Sequence, residues 1–379
     1  MEMTQIAEIV NETTAQVTGT EPIADVDLNK IVDAGAEVLE TDKVDHYVKN
    51  LIDRIGKVVF VNRPYSGATP SVMMDSWEYG AILEKIQYEG LPEAEDNDTW
   101  ELEDGRSYDP NIFYKPNVSA KFFSERRTFD IPMSFAQRQI KSAFTSAGQV
   151  QALFSMIETA ISNGMTVKMD SLIEATINNF MATTYGTGTA NARVVKLLTD
   201  YAAFTGQTAP SAANALATPE FVRYMAFAMK RKAAQMTKLS TVFNQGGKYR
   251  HTPADRLHII MHADAASAAD IYLQSDTFHN EFVALPQAEK VPFWQGSGTS
   301  FAFTDTSKII VTPRGEDSPV TISNIVGFMW DRDALGVSNI DRRVTTNWNP
   351  KAEFTNNWYK FDAGYFNDFN ENGVIFVLE

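Results

Sequence analysis

Histidines and closely spaced acids are the side chains of this sequence that could support catalysis or bind a metal ion. His258 and His262 lie four residues apart, and Asp264 follows them. Imidazole and carboxylate groups are common zinc ligands. The sequence nevertheless lacks the Glu that follows the first His in zinc peptidases. The spacing is therefore more typical of ordinary histidines in a strand and at a helix start than of a metal site.

Two further pairs of acids, Asp331 with Asp333 and Glu316 with Asp317, carry the carboxylates that acid–base catalysis needs. Such catalysis also needs a second group at a definable spacing, and the sequence supplies none. Adjacent acids are in any case common in loops and at strand ends. We therefore predict no catalytic residue, no metal ion and no cofactor. An enzyme with an unrecognised acidic site is the alternative.

Phosphate-binding and thiol chemistry find no support in the sequence. Gly246-Gly247-Lys248 is followed by Tyr, whereas a phosphate-binding loop has Ser or Thr there. The chain contains no cysteine, which excludes disulfides, thiolate catalysis and Cys-type zinc sites. We expect its stability to come from packing and association.

The overall composition limits the class of protein. The chain has 379 residues, of which 44% are hydrophobic and 21% charged, as in ordinary globular proteins. Its net charge of −15 argues against a free-standing nucleic-acid binder, because attraction to phosphate dominates such binding. No stretch of about 20 apolar residues predicts a membrane span, and the N-terminus lacks the features of a signal peptide. We predict a soluble protein that is made inside the cell.

The charge is unevenly distributed along the chain. Residues 1–56 contain twelve acids and four bases, and residues 221–256 contain eight bases and one acid. A tract of seven acids without a base lies between them, at 93–104. Charged solvated faces are one explanation, and complementary patches that meet between copies of the chain are the other. Under the second, we predict these interface residues: Glu93, Glu95, Asp96, Asp98, Glu101, Glu103, Asp104, Arg223, Lys230, Arg231 and Lys232.

The elements that position these residues follow from the hydrophobic spacing. We predict an extended N-terminal arm that leads into a short helix, then strands at 57–61, near 81–88, near 112–114 and near 120–123. The result is a long two-stranded loop with the acidic tract at its tip. A lone hairpin of that length is marginally stable in water, so we expect support from outside its own fold.

A long helix is predicted over 147–183, where apolar residues recur at three- and four-residue intervals. Asn163-Gly164 interrupts the pattern, which indicates either one helix kinked at Gly164 or two stacked helices. Gly164 is our candidate for a hinge, and a role in close backbone packing is the alternative.

Helices and strands alternate over residues 190–330, and strands dominate the remainder. Thr218-Pro219-Glu220 is typical of a helix start. Strands are predicted over 257–261, 307–312 and 320–330, with Ile322, Val326, Phe328 and Trp330 on one face of the last. Asn372-Gly373 predicts a tight turn.

This order of parts resembles that of the major capsid proteins of tailed bacteriophages with the Hong Kong 97-type fold, which encapsulins share more distantly. The local similarities lie at 325–336 (IVGFMWDRDALG), 366–374 (FNDFNENGV) and 291–296 (VPFWQG). The resemblance implies an α+β fold with four parts. These are an N-terminal arm at 1–56, an extended β-hairpin loop at 57–131, a peripheral domain with a long spine helix at 132–189 and 331–379, and an axial α/β domain at 190–330.

The resemblance also implies the function. The chain is expected to form hexamers and pentamers of an icosahedral phage head around packaged double-stranded DNA, which it contacts only non-specifically. A separate scaffolding protein, a portal and a decoration protein are the implied partners, with no membrane. The expected location is the virion, after synthesis in the host cytoplasm. The alternatives are an encapsulin-type compartment shell and a tail-associated carbohydrate-binding protein.

Overall fold

The computed structural model combines helices and sheets, which confirms the predicted α+β class. It describes residues 3–19, 28–39, 43–44, 46–51, 54–55, 72–74, 83–88, 103–107, 111, 113–186, 192–274, 288–295 and 307–379. The helices among these residues are α1 (Met3–Thr18), α2 (Leu28–Leu39), α3 (Gln137–Ala143), α4 (Ala147–Gly186), α5 (Leu197–Thr205), α6 (Pro219–Met236) and α7 (Ala263–Gln274).

The strands of the same residues form two larger sheets and two hairpin-like pairs. They are β1 (Met73–Met74), β2 (Leu83–Tyr88), β3 (Val118–Phe123), β4 (Arg126–Ala136), β5 (Val194–Lys196), β6 (Leu257–His262), β7 (Glu289–Val291), β8 (Ile309–Val311), β9 (Val320–Ile322), β10 (Ile325–Asp331), β11 (Leu335–Asn349), β12 (Phe354–Asn367) and β13 (Gly373–Val377). The four-stranded sheet has the order β1-β11-β12-β4, and the five-stranded sheet has the order β5-β13-β10-β6-β7. The pairs are β2-β3 and β8-β9.

Helix α4 is the longest element and contacts strands of both larger sheets. Its 40 residues form one uninterrupted helix, about 60 Å long at 1.5 Å per residue, so the alternative of two stacked helices is wrong. Phe154, Ile157, Ile161 and Ile173 are fully buried on its apolar face. The predicted spacing therefore identified the core-facing side of this helix correctly.

The five-stranded sheet is buried on both faces. Phe328 and Trp330 of β10 belong to the core cluster that contains α4, whereas Val326 and Met329 belong to a second cluster against α6 and α7. Strand residues alternate between faces, so a strand between two helical layers is apolar throughout. All seven residues of β10 are buried accordingly.

Two details of the predicted strand at 320–330 are wrong. The strand is broken at Ser323 and Asn324, where Asn324 has a positive φ of 56°, so β9 and β10 pair in different sheets. Val326 also faces the second cluster rather than sharing a face with Phe328. The β-bulge between Ile325 and Gly327 explains this, because an extra residue reverses the alternation.

The predicted extended N-terminal arm is also wrong where the structure describes it. Residues 3–18 form helix α1, and Ile6, Val10 and Ile31 are fully buried in the same core cluster as α4. The polar residues of α1 are compatible with this, because Thr13 donates a 2.6 Å hydrogen bond to the Ile9 carbonyl one turn earlier. The short helix that was predicted next is present as α2 and the helical residues 46–51.

The turn predicted at Asn372-Gly373 is displaced. The chain reverses at 368–371, where the Glu371 amide donates to the Asp368 carbonyl. Asn372 is fully buried, and its side chain donates to Thr252. β12 and β13 lie in different sheets, so this dipeptide does not join a hairpin.

Strand β13 links segments that are far apart in the chain. The predicted boundaries place it in the peripheral domain, yet it pairs on both sides with strands of the 190–330 segment, β5 and β10. Within the described residues, no helix combines the length and the apolar content that a membrane crossing requires.

Candidate assembly surfaces

The β2-β3 hairpin has two chemically different faces. Its antiparallel register pairs Lys85 with Lys121 and Ile86 with Ala120. Because side chains alternate, Lys85, Gln87 and Lys121 share an inner face that is half-buried. The outer face is exposed and largely apolar: Ile86 is 72% exposed and Phe122 62%, and Tyr88 and Val118 accompany them.

The inner face is attached to the body of the subunit through Asp368, whose side chain is completely buried. Lys121 Nζ lies 2.9 Å from its Oδ1, Lys85 Nζ 3.2 Å from its Oδ2, and Gln87 Nε2 3.3 Å from its Oδ2. Lys85 also donates to the Asp333 carbonyl. Below these contacts, the Phe123 ring packs 5.1 Å from the Phe366 ring.

The electrostatics of this attachment favour an ionised carboxylate. Burial opposes ionisation of Asp368, but the Lys85 charge, the hydrogen bond from Lys121 and the Asn370 amide outweigh it, so the pKa lies below its ordinary value. Lys85 Nζ also lies 5.1 Å from the centroid of the Phe366 ring, within cation–π range. The attachment is thus held by charge as well as by packing.

Of the seven predicted acidic interface residues, the structure places two. Glu103 and Asp104 are exposed in a turn between β2 and β3, and Arg106 forms a 3.6 Å ion pair with Glu103. Phe113 and Tyr114 follow and are 84% and 80% exposed. Glu93, Glu95, Asp96, Asp98 and Glu101 lie outside the described residues, as does the strand predicted at 57–61.

The four predicted basic interface residues lie on α6, and two of them stack on aromatic rings. Arg223 is exposed, and Lys230, Arg231 and Lys232 are half-buried. The Arg231 guanidinium lies 5.4 Å from the Phe227 ring and 5.9 Å from the Phe204 ring. Both rings are themselves largely exposed. The result is a patch of aromatic and cationic groups on the outside of α6.

Lys232 differs from the other three, because its ammonium lies 5.7 Å from the Phe243 ring. Burial and the nearby Arg231 charge lower its pKa, although the attraction of Asp200 opposes them. Of the four basic residues, Lys232 is thus half-buried against an aromatic ring, whereas Arg223 is exposed.

Gly164 lies where α4 crosses strand β4. A Cβ built on Gly164 would lie 3.0 Å from Ile131 Cδ1 and 3.4 Å from Ile131 Cγ1. This distance is close for carbon atoms, which supports the packing alternative for Gly164. The hinge stays a prediction.

His258, His262, Asp331 and Asp333 are engaged in structural contacts, whereas Glu316 and Asp317 are exposed. His258 stacks on Trp330 with ring centroids 5.8 Å apart, and burial lowers its pKa. His262 Nδ1 lies 3.7 Å from an Asp264 carboxylate oxygen. Among the described residues, no cluster of three or more His, Cys, Asp or Glu has the geometry to hold a metal ion.

Asp331 and Asp333 stabilise the loop after β10. Asp331 accepts a 2.8 Å hydrogen bond from Thr252 and a 3.0 Å bond from the Asp333 amide, and Asp333 pairs with Arg256. Each carboxylate thus has hydrogen-bond or ion-pair partners, and these structural contacts account for the two acids without a catalytic role.

Asp368, the residue that attaches the hairpin, was not among the residues predicted from the sequence. It lies within the FNDFNENGV segment that carried part of the resemblance, but nothing in the sequence singles it out. The alternation of Lys85 and Gln87 with apolar residues in β2 gives no signal for it, because such alternation by itself predicts that the apolar side chains face the core.

Comparisons with known proteins identify phage major capsid proteins as similar to this chain. The family model for the Phi29-like phage major capsid protein matches residues 6–377. The major capsid protein of Bacillus phage GA-1 is 23% identical over 240 residues, which cover 62% of this chain and 44% of that relative. The chain therefore matches less than half the length of this curated relative.

Solved structures give weaker similarity. The capsid structure of Staphylococcus phage Andhra matches with a TM-score of 0.49 and 10% identity, over 84% of this chain and 86% of the other. The capsid structure of cyanophage P-SCSP1u matches with a TM-score of 0.49 and 12% identity, over 83% and 89%.

The family match extends from α1 to the end of β13, and thus includes both core clusters and the hairpin. The matched family consists of structural capsid proteins, as the resemblance implied. The chain belongs to the family of Phi29-like phage major capsid proteins.

Proposed function

We propose that the chain self-assembles into the hexamers and pentamers of an icosahedral phage head that encloses double-stranded DNA. The observation that supports this most is the apolar outer face of the β2-β3 hairpin. Ile86, Tyr88, Val118 and Phe122 expose large side chains side by side on this two-stranded unit. Contiguous exposed apolar surface of this kind marks an interaction site.

A second copy of the chain is the occupant we propose for this face. Within the described residues the hairpin pairs with no third strand, so its own subunit covers only the inner face. The exposed aromatics Phe113 and Tyr114, together with the acids Glu103 and Asp104, continue the surface towards the tip. The α6 patch, with Arg223 and Lys230, offers a charge partner on another copy.

The predicted parts acquire roles in this arrangement. Within the loop at 57–131, the β2-β3 hairpin would cross the subunit boundary, because β1 and β4 belong to the four-stranded sheet. The spine helix α4 and that sheet would form the peripheral domain, and residues 190–330 would form the axial domain. We place the protein in the virion after synthesis in the host cytoplasm. A separate scaffolding protein, a portal and a decoration protein are the proposed partners.

Electron microscopy and native mass measurement of the purified protein test the assembly directly. We expect closed shells, tubes or ring-shaped capsomers. A stable small monomer under all assembly conditions would contradict the proposal. The family match favours the phage head over an encapsulin-type shell.

Charge reversal tests the role of the hairpin tip. The variant Glu103→Lys/Asp104→Lys should remain folded and form fewer shells, because like charges would face the α6 patch of the neighbouring copy. The matched control is Glu316→Lys/Asp317→Lys, which reverses two adjacent exposed acids in another turn. Normal assembly of the tip variant at both low and high salt would show that this pairing is wrong.

A further inference from the structure

Asp368 occupies a special position because its own backbone is held on both sides. Its amide donates a 2.6 Å hydrogen bond to the Ala334 carbonyl, and its carbonyl accepts a 3.1 Å bond from the Glu371 amide. Its Oδ1 also accepts from the Asn370 amide at 3.2 Å. The carboxylate is therefore a fixed point on the body of the subunit, with little freedom to follow a moving partner.

The two lysines contact this fixed point from different strands. Lys85 lies on β2 and Lys121 on β3, and the two are direct register partners. Lys121 contacts Oδ1, whereas Lys85 contacts Oδ2. A single contact would allow the hairpin to roll about its long axis. Two contacts from opposite strands to the two oxygens of one carboxylate resist both roll and lateral displacement.

The orientation of the inner face determines that of the outer face. Side chains of a strand alternate, so a roll that moves Lys85 and Lys121 away from Asp368 also redirects Ile86 and Phe122. The contact between the Phe123 and Phe366 rings is apolar. Apolar contacts are less directional than the lysine–Asp368 contacts, so the hairpin could shift without losing this one. The charge contacts therefore define the direction of the apolar face.

We propose that Asp368 is a positioning residue, which sets the direction in which the β2-β3 hairpin presents its apolar outer face to the neighbouring subunit. This inference rests on the proposed function of that face. Asp368 is completely buried and does not touch the neighbour; it acts through the hairpin residues that it contacts, Lys85, Lys121 and Gln87. Loss of its charge should leave the subunit folded and the apolar face intact, but should spread the face over many directions.

Distances between two spin labels in the free subunit test the proposal. The chain contains no cysteine, so Val118→Cys on the hairpin and Glu220→Cys on α6 give two unique labelling sites, both exposed. We expect a narrow distance distribution in the otherwise unchanged chain. Asp368→Asn should give a distribution about twice as wide, because the hairpin then samples several orientations.

The matched control is Asp362→Asn. Asp362 is also a largely buried aspartate in an ion pair, 2.7 Å from Arg343, but it lies on β12 and is not bonded to the hairpin. This variant should lose stability while the label distances stay unchanged. Equal broadening in both variants would mean that the hairpin reports only a loss of stability, which would overturn the assignment.

Removal of the lysines provides a second route to the same result. Lys85→Met/Lys121→Met should broaden the distribution at least as much as Asp368→Asn does, since Lys85 also donates to the Asp333 carbonyl. The triple variant should broaden it no further than the lysine variant, because Asp368 then has no charged partner left on the hairpin. The triple variant also leaves no unpaired buried charge, so it serves if Asp368→Asn does not fold. Unchanged distances in the triple variant would overturn the proposal.

The free-subunit distances and the assembly assay can fail separately. If the original chain forms no shells while Asp368→Asn broadens the distances, the proposed function is wrong and the role of Asp368 stands. If shells form and the distances do not respond to Asp368, the positioning role alone is wrong.

Discussion

At the scale of single residues, Gly164 shows how a packing contact and a backbone preference oppose each other. Glycine inside a helix costs about 1 kcal/mol relative to alanine. The structure offers a reason to keep it, since a Cβ would lie 3.0 Å from the end of the Ile131 side chain. Ile131 is only half-buried, so its terminal methyl group has room to move away.

We therefore expect Gly164→Ala to fold and to raise the free energy of unfolding by less than about 1 kcal/mol, as part of the helix gain is spent on moving Ile131. Urea unfolding measures this. The matched control is Gly148→Ala in the same helix, where a Cβ would meet nothing within 4 Å. Shells of abnormal size or arrested maturation from the Gly164 variant would support the hinge. Normal shells of normal diameter would leave it with the packing role alone.

The titration of Asp368 gives a second prediction for a single residue. Its pKa in the folded chain lies below the ordinary value of 3.8, so its ion pairs stabilise the fold above that value and lose this contribution as the pH falls through the lowered pKa. The carboxylate faces Lys85 and Lys121 on the hairpin. The pKa of Glu371 is raised, chiefly by burial and in part by the nearby Asp368 charge.

We expect the difference in unfolding free energy between the original chain and Asp368→Asn to be constant between about pH 5 and pH 8 and to shrink in stronger acid. Denaturant unfolding at each pH measures it, with both chains carrying Glu371→Gln, because the Glu371 carboxyl responds to the Asp368 charge and would not cancel in the subtraction. A difference that shrinks already between pH 7 and pH 5 would contradict the lowered pKa.

At the scale of elements, two adjacent residues of β3 allow the contribution of the hairpin to stability to be tested separately from its proposed contribution to assembly. Phe122 on the outer face is 62% exposed, whereas Phe123 on the inner face is 8% exposed and packs on Phe366. Both residues are phenylalanines of β3, but the Phe122 ring is exposed and the Phe123 ring is buried. The same substitution at the two positions can therefore be compared directly, because only the surroundings of the ring differ.

Phe123→Ala should lower the free energy of unfolding by about 3 kcal/mol, because it removes a buried ring. Phe122→Ala should change it by less than about 0.5 kcal/mol, as an exposed substitution, and should reduce the yield of shells. Thermal unfolding and electron microscopy of both variants measure the two effects. Unimpaired assembly of Phe122→Ala would exclude this ring from the subunit interface.

Some of the helices and strands could be predicted from the sequence alone. The spacing of apolar residues predicted α4, the start of α6 at Thr218-Pro219 and the pairing of strands near 81–88 and 120–123, because each buries a single continuous face. Helix α1 was missed because two of its buried residues, Asn11 and Thr13, are polar, and Thr13 is accommodated by a bond to the preceding turn. Local patterns do not contain that information.

The candidate site was predictable only in part, for a related reason. The acidic tip and the basic α6 residues are visible as runs of like charge. Asp368, by contrast, is separated by more than 240 residues from each of the lysines that it binds. Contacts between such distant segments arise from tertiary packing, and no spacing rule for a helix or strand describes them.

At the scale of the whole molecule, the net charge of −15 opposes the binding of free subunits to duplex DNA. Two of the basic groups on α6, Arg231 and Lys232, lie against aromatic rings rather than projecting as a row of free cations. We expect free subunits to bind duplex DNA weakly, and the affinity to collapse between about 50 and 200 mM salt. Fluorescence anisotropy with two unrelated sequences measures this. A salt-resistant affinity that distinguishes the sequences would contradict it.

The place of β13 in the five-stranded sheet has a consequence for the timing of biosynthesis. The ribosome makes β5, β6, β7 and β10 before it makes β13, yet β13 lies between β5 and β10. Until residue 377 has emerged, β10 has an unpaired edge and β5 has no neighbour in the sheet, so the layer beneath the spine helix cannot close. A nascent chain therefore cannot complete this sheet, and we expect a copy of the chain to become competent for assembly only after its translation has passed this strand.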